Sequence, residues 1–166
     1  MYKWIGSILI LIACTGMGYG RSHEMQHHLI ELEELKKICC LLKSELEYTR
    51  APFAEVFDKI GKRTIEPFQT WLLRLSNRLH EKGTGTFWEI WSDSIAIDLQ
   101  GSRLKIEEIE ELRGIGKNLE YVESLELYIQ QLEYNIQNTR EDYQSKKKLC
   151  QSMGIMGGIF LVTLLL

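Results

Sequence analysis

Residues 29–46 read LIELEELKKICCLLKSEL. Leu29, Leu32, Leu35, Ile38, Leu42 and Leu46 step by three and four, so one face of a helix is apolar and most of the rest is charged or polar. The spacing predicts an amphipathic helix from about His23 to Tyr48, running on from the apolar stretch before it. Ala51-Pro52 ends it, because proline disfavours helical geometry in the preceding residue. No strand-like alternation competes anywhere in the middle of the chain.

The same period recurs downstream. Pro52 suits a first turn, and Phe53, Val56, Phe57 and Ile60 point one way until Gly61. Thr64 is expected to cap the next helix, with Pro67 in its first turn and Phe68, Trp71, Leu72, Leu75 and Leu79 as its apolar face. Lys82-Gly83-Thr84-Gly85 is a break. Thr86-Phe87-Trp88-Glu89 has the form of a capping box, and the helix it opens should bury Trp88, Trp91 and Ile95. After a turn at Gly101, Leu104, Ile106, Ile109 and Leu112 predict a short helix that stops at Gly114-Ile115-Gly116. Leu119, Val122, Leu125, Ile129, Leu132 and Ile136 repeat at near-heptad spacing, giving a last helix from about Lys117 to Lys148. At 1.5 Å per residue it is roughly 45 Å long. Such a helix carries the chain back to its apolar end; a coiled-coil arm is the alternative. The expected fold class is all-α, a bundle of about six helices.

The chain has 166 residues and a net charge of −3, so no overall basic character draws it to nucleic acid. Its apolar residues gather at the ends: WIGSILILIACTGMGY at 4–19 and MGIMGGIFLVTLLL at 153–166. A spanning helix needs about 20 mostly apolar residues. Tyr2, Lys3 and Tyr19 extend the first run through interfacial contacts; Cys150, Gln151 and Ser152 bring the second to the lower limit. The alternative for the second is a tail that lies in the interface or packs on a partner. The expected organisation is a transmembrane helix at 1–20, a helical domain at 21–149 and a transmembrane segment at 150–166. Arg21, Lys36, Lys37, Arg140 and Lys146–Lys148 flank the runs on the inner side, which places the middle domain in the cytoplasm and both termini outside. A rival reading takes Leu11-Ile12-Ala13-Cys14 as a lipobox, making the chain an extracytoplasmic lipoprotein lipidated at Cys14. The single Lys3 ahead of it, and the apolar run continuing through Met17 and Tyr19, argue against that.

Candidate chemistry is sparse. His23-Glu24-Met25-Gln26-His27 matches the zinc-protease pattern, in which two histidines at i and i+4 ligate the metal and the glutamate serves as general base. A third ligand is needed. Glu55 and His80 are available, and the spacing selects neither. The competing reading is a polar collar where the first apolar helix ends. Cys39 and Cys40 are neighbours, no C-x-x-C occurs, and the cysteines read as small apolar residues. Gly114-Ile115-Gly116-Lys117 lacks the rest of a phosphate-binding loop. No catalytic, cofactor-binding or metal residue is assigned, and no cofactor. Glu107, Glu108, Glu110 and Glu111 read as a solvated face or as an electrostatic docking patch for a basic partner. Gly16 and Gly20, and likewise Gly154 and Gly158, are four apart, a spacing that lets helices approach closely in lipid.

Several stretches together carry a resemblance. They are the short N-terminal apolar run ending in glycines, Leu46-Glu47-Tyr48-Thr49-Arg50-Ala51-Pro52-Phe53, and the Gly-Thr-Gly break before Trp88. Leu112–Leu119 with its paired glycines, the Gln/Glu-rich last helix and the terminal GGIFLVTLLL complete the pattern. In this order and spacing the chain resembles the stage III sporulation protein AB family of endospore-forming bacteria, over nearly its whole length. Glu120 after Leu119 departs from the Leu-Gly turn of that family. The family is similar in its helical cytoplasmic domain to the inner-membrane platform protein of type II secretion and type IV pilus systems. The resemblance implies a scaffold in the mother-cell membrane, part of the channel-like assembly between mother cell and forespore. The implied partners are a secretion-type ATPase of the same operon and other channel components. Membrane lipid and a second copy of the chain are further candidate partners, and no catalytic residue carries over.

Overall fold

The computed structural model describes the backbone of residues 2–49, 51–81, 85–119 and 121–165, and side chains from 24 to 145 within them. Among the described residues lie six helices and no strand: α1 (Tyr2–Tyr48), α2 (Phe53–Gly61), α3 (Phe68–His80), α4 (Phe87–Asp98), α5 (Ile106–Ile115) and α6 (Val122–Leu165). Two compact units result, Ile30–Ile136 and the pairing of Met1–Leu29 with Gln137–Leu166.

In Ile30–Ile136 the apolar stripe of α1 is the wall the sequence predicts. Leu32, Leu35, Ile38, Cys39 and Leu42 are buried, as are Leu125, Tyr128, Leu132 and Ile136 of α6. Two ion pairs flank this seam: Lys36 Nζ lies 3.0 Å from Glu133 and Lys43 Nζ 3.4 Å from Glu126. The lysines are seven residues apart and so are the glutamates, in opposite chain order. That is the flanking-charge pattern of an antiparallel coiled-coil pair.

The centre of the unit is aromatic. Trp71 and Trp91 meet edge-on with ring centroids 5.2 Å apart, and Phe57 lies 5.9 Å from Trp91. Each indole N–H has an acceptor, as burial requires: Trp71 donates to Ser94 Oγ at 3.0 Å and Trp91 to the Leu112 carbonyl at 3.2 Å. Gly116 lies against the Trp91 indole so closely that a Cβ there would collide with the ring. A small internal space of about 10 Å³, lined by side chains such as Leu35, Phe57 and Trp71, is at the threshold for one water molecule.

Loops are tied to α1 by two of its carboxylates. Glu34 Oε1 accepts from the Ile65 N–H at 3.3 Å, and Glu31 Oε2 accepts from the Arg103 N–H at 2.7 Å. The capping box that opens α4 is formed in both directions: Thr86 N–H donates to Glu89 Oε2 at 2.8 Å and Glu89 N–H to Thr86 Oγ1 at 3.4 Å.

Four local expectations are corrected. Thr64 does not cap α3; its hydroxyl donates back to the carbonyls of Gly61 at 3.0 Å and Ile60 at 3.3 Å, closing α2. Glu66 serves the start of α3 instead, accepting from Thr70 Oγ1 at 2.7 Å. Ile106 is 80 % exposed, because the helix phase turns Glu108 inward, where its carboxylate accepts from the Lys105 N–H at 2.8 Å. Trp88 is half-buried, with the Lys117 ammonium 4.8 Å from its ring centre. The last helix starts at Val122, not near Lys117, after a series of tight i to i−3 hydrogen bonds through Asn118, and it runs past Lys148 to Leu165.

Residues 2–20 and 150–165, inside the expected spans, are helical, as parts of α1 and α6. Their side chains lie outside the described residues, and among the described residues no helix is long and apolar enough to cross a membrane. Helicity of both ends is observed; membrane crossing is not.

Candidate functional site

The internal space described among these helices is small and lined by apolar side chains. The HEMQH stretch falls on α1. His23 lies outside the described side chains, Glu24 is exposed, His27 is half-buried and the adjacent His28 is buried. Among the described residues no group of three histidines, cysteines, aspartates or glutamates could hold a metal ion. The two candidate third ligands stand on other helices: Glu55 is exposed on α2, and His80 closes α3 with Nδ1 2.9 Å from the Ser76 carbonyl. No described grouping therefore completes a protease centre.

The four α5 glutamates do not share a face. Glu107, Glu110 and Glu111 are exposed, whereas Glu108 is only 5 % exposed and caps its own helix. Glu110 pairs with Arg113 at 2.8 Å. Partial burial, then the charges of Glu108 and Glu107, push the Glu111 carboxyl above its ordinary range. The outward acidic face is thus Glu107 and Glu111, with Glu110 partly neutralised.

Cys39 is buried and Cys40 exposed. Burial first, then the neighbouring Cys40, hold the Cys39 thiol well above its ordinary range, so it stays protonated. It acts as a small apolar residue, as the sequence suggests. Burial likewise raises the Tyr128 hydroxyl, with smaller contributions from Cys39, Glu111 and Glu108. Gly16, Gly20, Gly154 and Gly158 lie outside the described side chains, as do Cys14 and Cys150.

Periodicity alone misses two features. Tyr128 is a core residue whose hydroxyl has no hydrogen-bond partner among the described residues. The outer face of α6 exposes Leu127 and Tyr134. The outer face has a signal in the seven-residue step from Leu127 to Tyr134, out of phase with the Leu125–Leu132 stripe; Tyr128 lies three residues after Leu125, on the stripe's own side.

With the helical architecture in place, comparison decides the lineage. The family model described as Stage III sporulation protein AB matches residues 3–166. The chain belongs to the stage III sporulation protein AB family. Stage III sporulation protein AB of Bacillus subtilis (strain 168) is 23% identical over 172 residues, covering 100% of each chain. A solved structure of stage III sporulation protein AB superposes with a TM-score of 0.65 at 20% identity, covering 71% of this chain and 97% of the other. At that identity the superposition speaks for the fold, and the fold is the same all-helical one.

Proposed function

We propose that the chain is a non-enzymatic membrane platform of the sporulating mother cell, with its helical domain in the cytoplasm and both termini outside. It docks a secretion-type ATPase and joins the other components of the channel-like assembly between mother cell and forespore. The observation that carries this reading is the family match over residues 3–166, on a bundle whose described helices bury an aromatic and aliphatic core. The bundle's first and last helices, α1 and α6, are also the ones that contain the apolar ends. This suits a domain anchored at both of its termini.

The outward glutamates Glu107 and Glu111 are the proposed landing point for a basic face of the ATPase, since complementary charge steers and orients association. Gly16 with Gly20, and Gly154 with Gly158, are the proposed close-packing positions of the membrane helices. The test is co-purification of the tagged chain from sporulating cells in mild detergent, with Glu107→Lys/Glu111→Lys alongside. Recovery of the ATPase with the parent chain and its loss with the double variant are expected. Absence of the ATPase from the parent sample would sink the docking role. Cysteine accessibility on either side of the membrane tests the topology: with exposed Cys40 replaced by alanine, a cysteine at exposed Asp93 of α4 (Asp93→Cys) must be labelled only from the cytoplasm.

A further inference from the structure

Residues 103–105 lead into α5, and their backbone is held on either side of one buried side chain. Leu104 is 7% exposed, whereas Arg103 and Lys105 are exposed. The Arg103 N–H donates to Glu31 Oε2 of α1 at 2.7 Å, and the Lys105 N–H to Glu108 Oε2 at 2.8 Å. The two bonds differ in reach. Glu108 closes the first turn of its own helix. Glu31 lies on another helix, 72 positions away, so its bond sets where α5 starts relative to α1. Toward the other end of α5 the Trp91 indole N–H holds the Leu112 carbonyl at 3.2 Å. A helix of ten residues pinned near both ends is fixed against sliding and against turning about its axis. Its phase follows: Glu108 and Leu112, four apart, are buried, and Glu107 and Glu111, also four apart, are exposed.

From this we infer that Glu31 of α1 is a positioning residue for the outer face of α5. It touches no partner itself. Its carboxylate fixes where α5 begins and, through that, the direction in which Glu107 and Glu111 point. The functional half of this rests on the docking role proposed above; the hold on α5 does not. The bond suits positioning more than stability. Glu31 is half-buried and Arg103 exposed, so water can take over the N–H when the carboxylate is removed. Water does not replace the fixed reach from α1. A pre-ordered face binds more tightly than one that must be ordered on contact. Glu34 supplies an internal comparison. It stands one turn on, and its carboxylate serves the Ile65 N–H at 3.3 Å, ahead of α3.

Amide hydrogen exchange and ATPase co-purification of the full chain, both in mild detergent, test it together. Glu31→Ala should exchange about tenfold faster at Arg103, Lys105 and the first turns of α5, the loss of one bond to a charged acceptor. ATPase recovery should fall roughly threefold, at unchanged helix content by circular dichroism. Glu31→Gln keeps an acceptor oxygen on a side chain of the same length and should restore most of both. Glu34→Ala removes the same charge one turn away; it should speed exchange at Ile65 and leave α5 and ATPase recovery at the parent level. Unchanged exchange in Glu31→Ala, a Glu31→Gln chain as impaired as Glu31→Ala, or equal loosening of α5 by Glu34→Ala each overturns the inference. So does faster α5 exchange with full ATPase recovery, since the face would then need no placing. If the parent chain recovers no ATPase, the docking role and the functional half of the inference both fall, and exchange still decides whether Glu31 holds α5.

Discussion

Two seams hold Ile30–Ile136 together, and they work on different principles. The α2–α3–α4 centre is irregular: Phe57, Trp71 and Trp91 interlock by shape, and each indole N–H is pinned to one acceptor. The α1–α6 seam is periodic, with aliphatic layers inside and lysine–glutamate pairs on its flank. In the first, position is fixed by volume, so errors are costly and local. In the second, position is fixed by repetition, so each element contributes little and the register is set by many.

That contrast can be broken at several points. Trp71→Ala removes the largest buried ring and leaves Ser94 short of a donor; a loss of about 3–5 kcal/mol is expected by urea unfolding. A loss below about 1 kcal/mol would show that the centre is loosely packed. Gly116→Val forces a side chain into the Trp91 ring and should cost about 1–3 kcal/mol, with a change in tryptophan emission that Gly101→Val, in open space, does not give. Thr86→Ala removes the cap that opens α4, for about 1 kcal/mol. Serine at 86 should restore most of it. Lys36→Met and Glu133→Gln, singly and together, probe the periodic seam. Their pairwise coupling should be at most about 1 kcal/mol and should shrink in high salt; a larger, salt-insensitive value would make this pair as specific as the aromatic centre.

The smallest effect concerns pH. The Glu111 carboxyl is raised by burial and by its acidic neighbours, so its charged form opposes the fold. That opposition is present at neutral pH and fades as pH falls through the folded-state value. Glu111→Gln should therefore be slightly more stable than the parent at pH 7 and indistinguishable from it near pH 4 (a melting series across that range shows it). An advantage that persisted at low pH would exclude the electrostatic cause.

Much of the fold is legible in the sequence where periodicity and capping agree. The Leu32–Leu35–Ile38–Leu42 stripe and the Thr86–Glu89 box both appear as read. Reading fails where two residues compete for one role. Thr64 and Glu66 both precede α3, and the carboxylate reaches Thr70 while the hydroxyl finds the nearer carbonyls of α2. Ile106 and Glu108 compete for the inward position of α5; the need to satisfy the Lys105 N–H turns the acid inward and the isoleucine out. Glycines at 114 and 116 suggest where a helix stops but not how many residues the turn consumes, hence the later start of α6. The candidate site was less legible than the fold. Runs of glutamate show composition, and only the helix phase shows that Glu108 leaves the surface.

Glu31 and Glu34 stand one turn apart on α1, and each holds a loop N–H. The bonds join residues 31 and 72 positions apart. Closing such long intervals is entropically slow, and neither closure is available to a chain that has only its first helix. Glu34 shares that oxygen with Lys37 of its own helix, 2.8 Å away. Both bonds fix a distant loop against the same turn of the first helix, so loosening α1 there would release two separate segments at once.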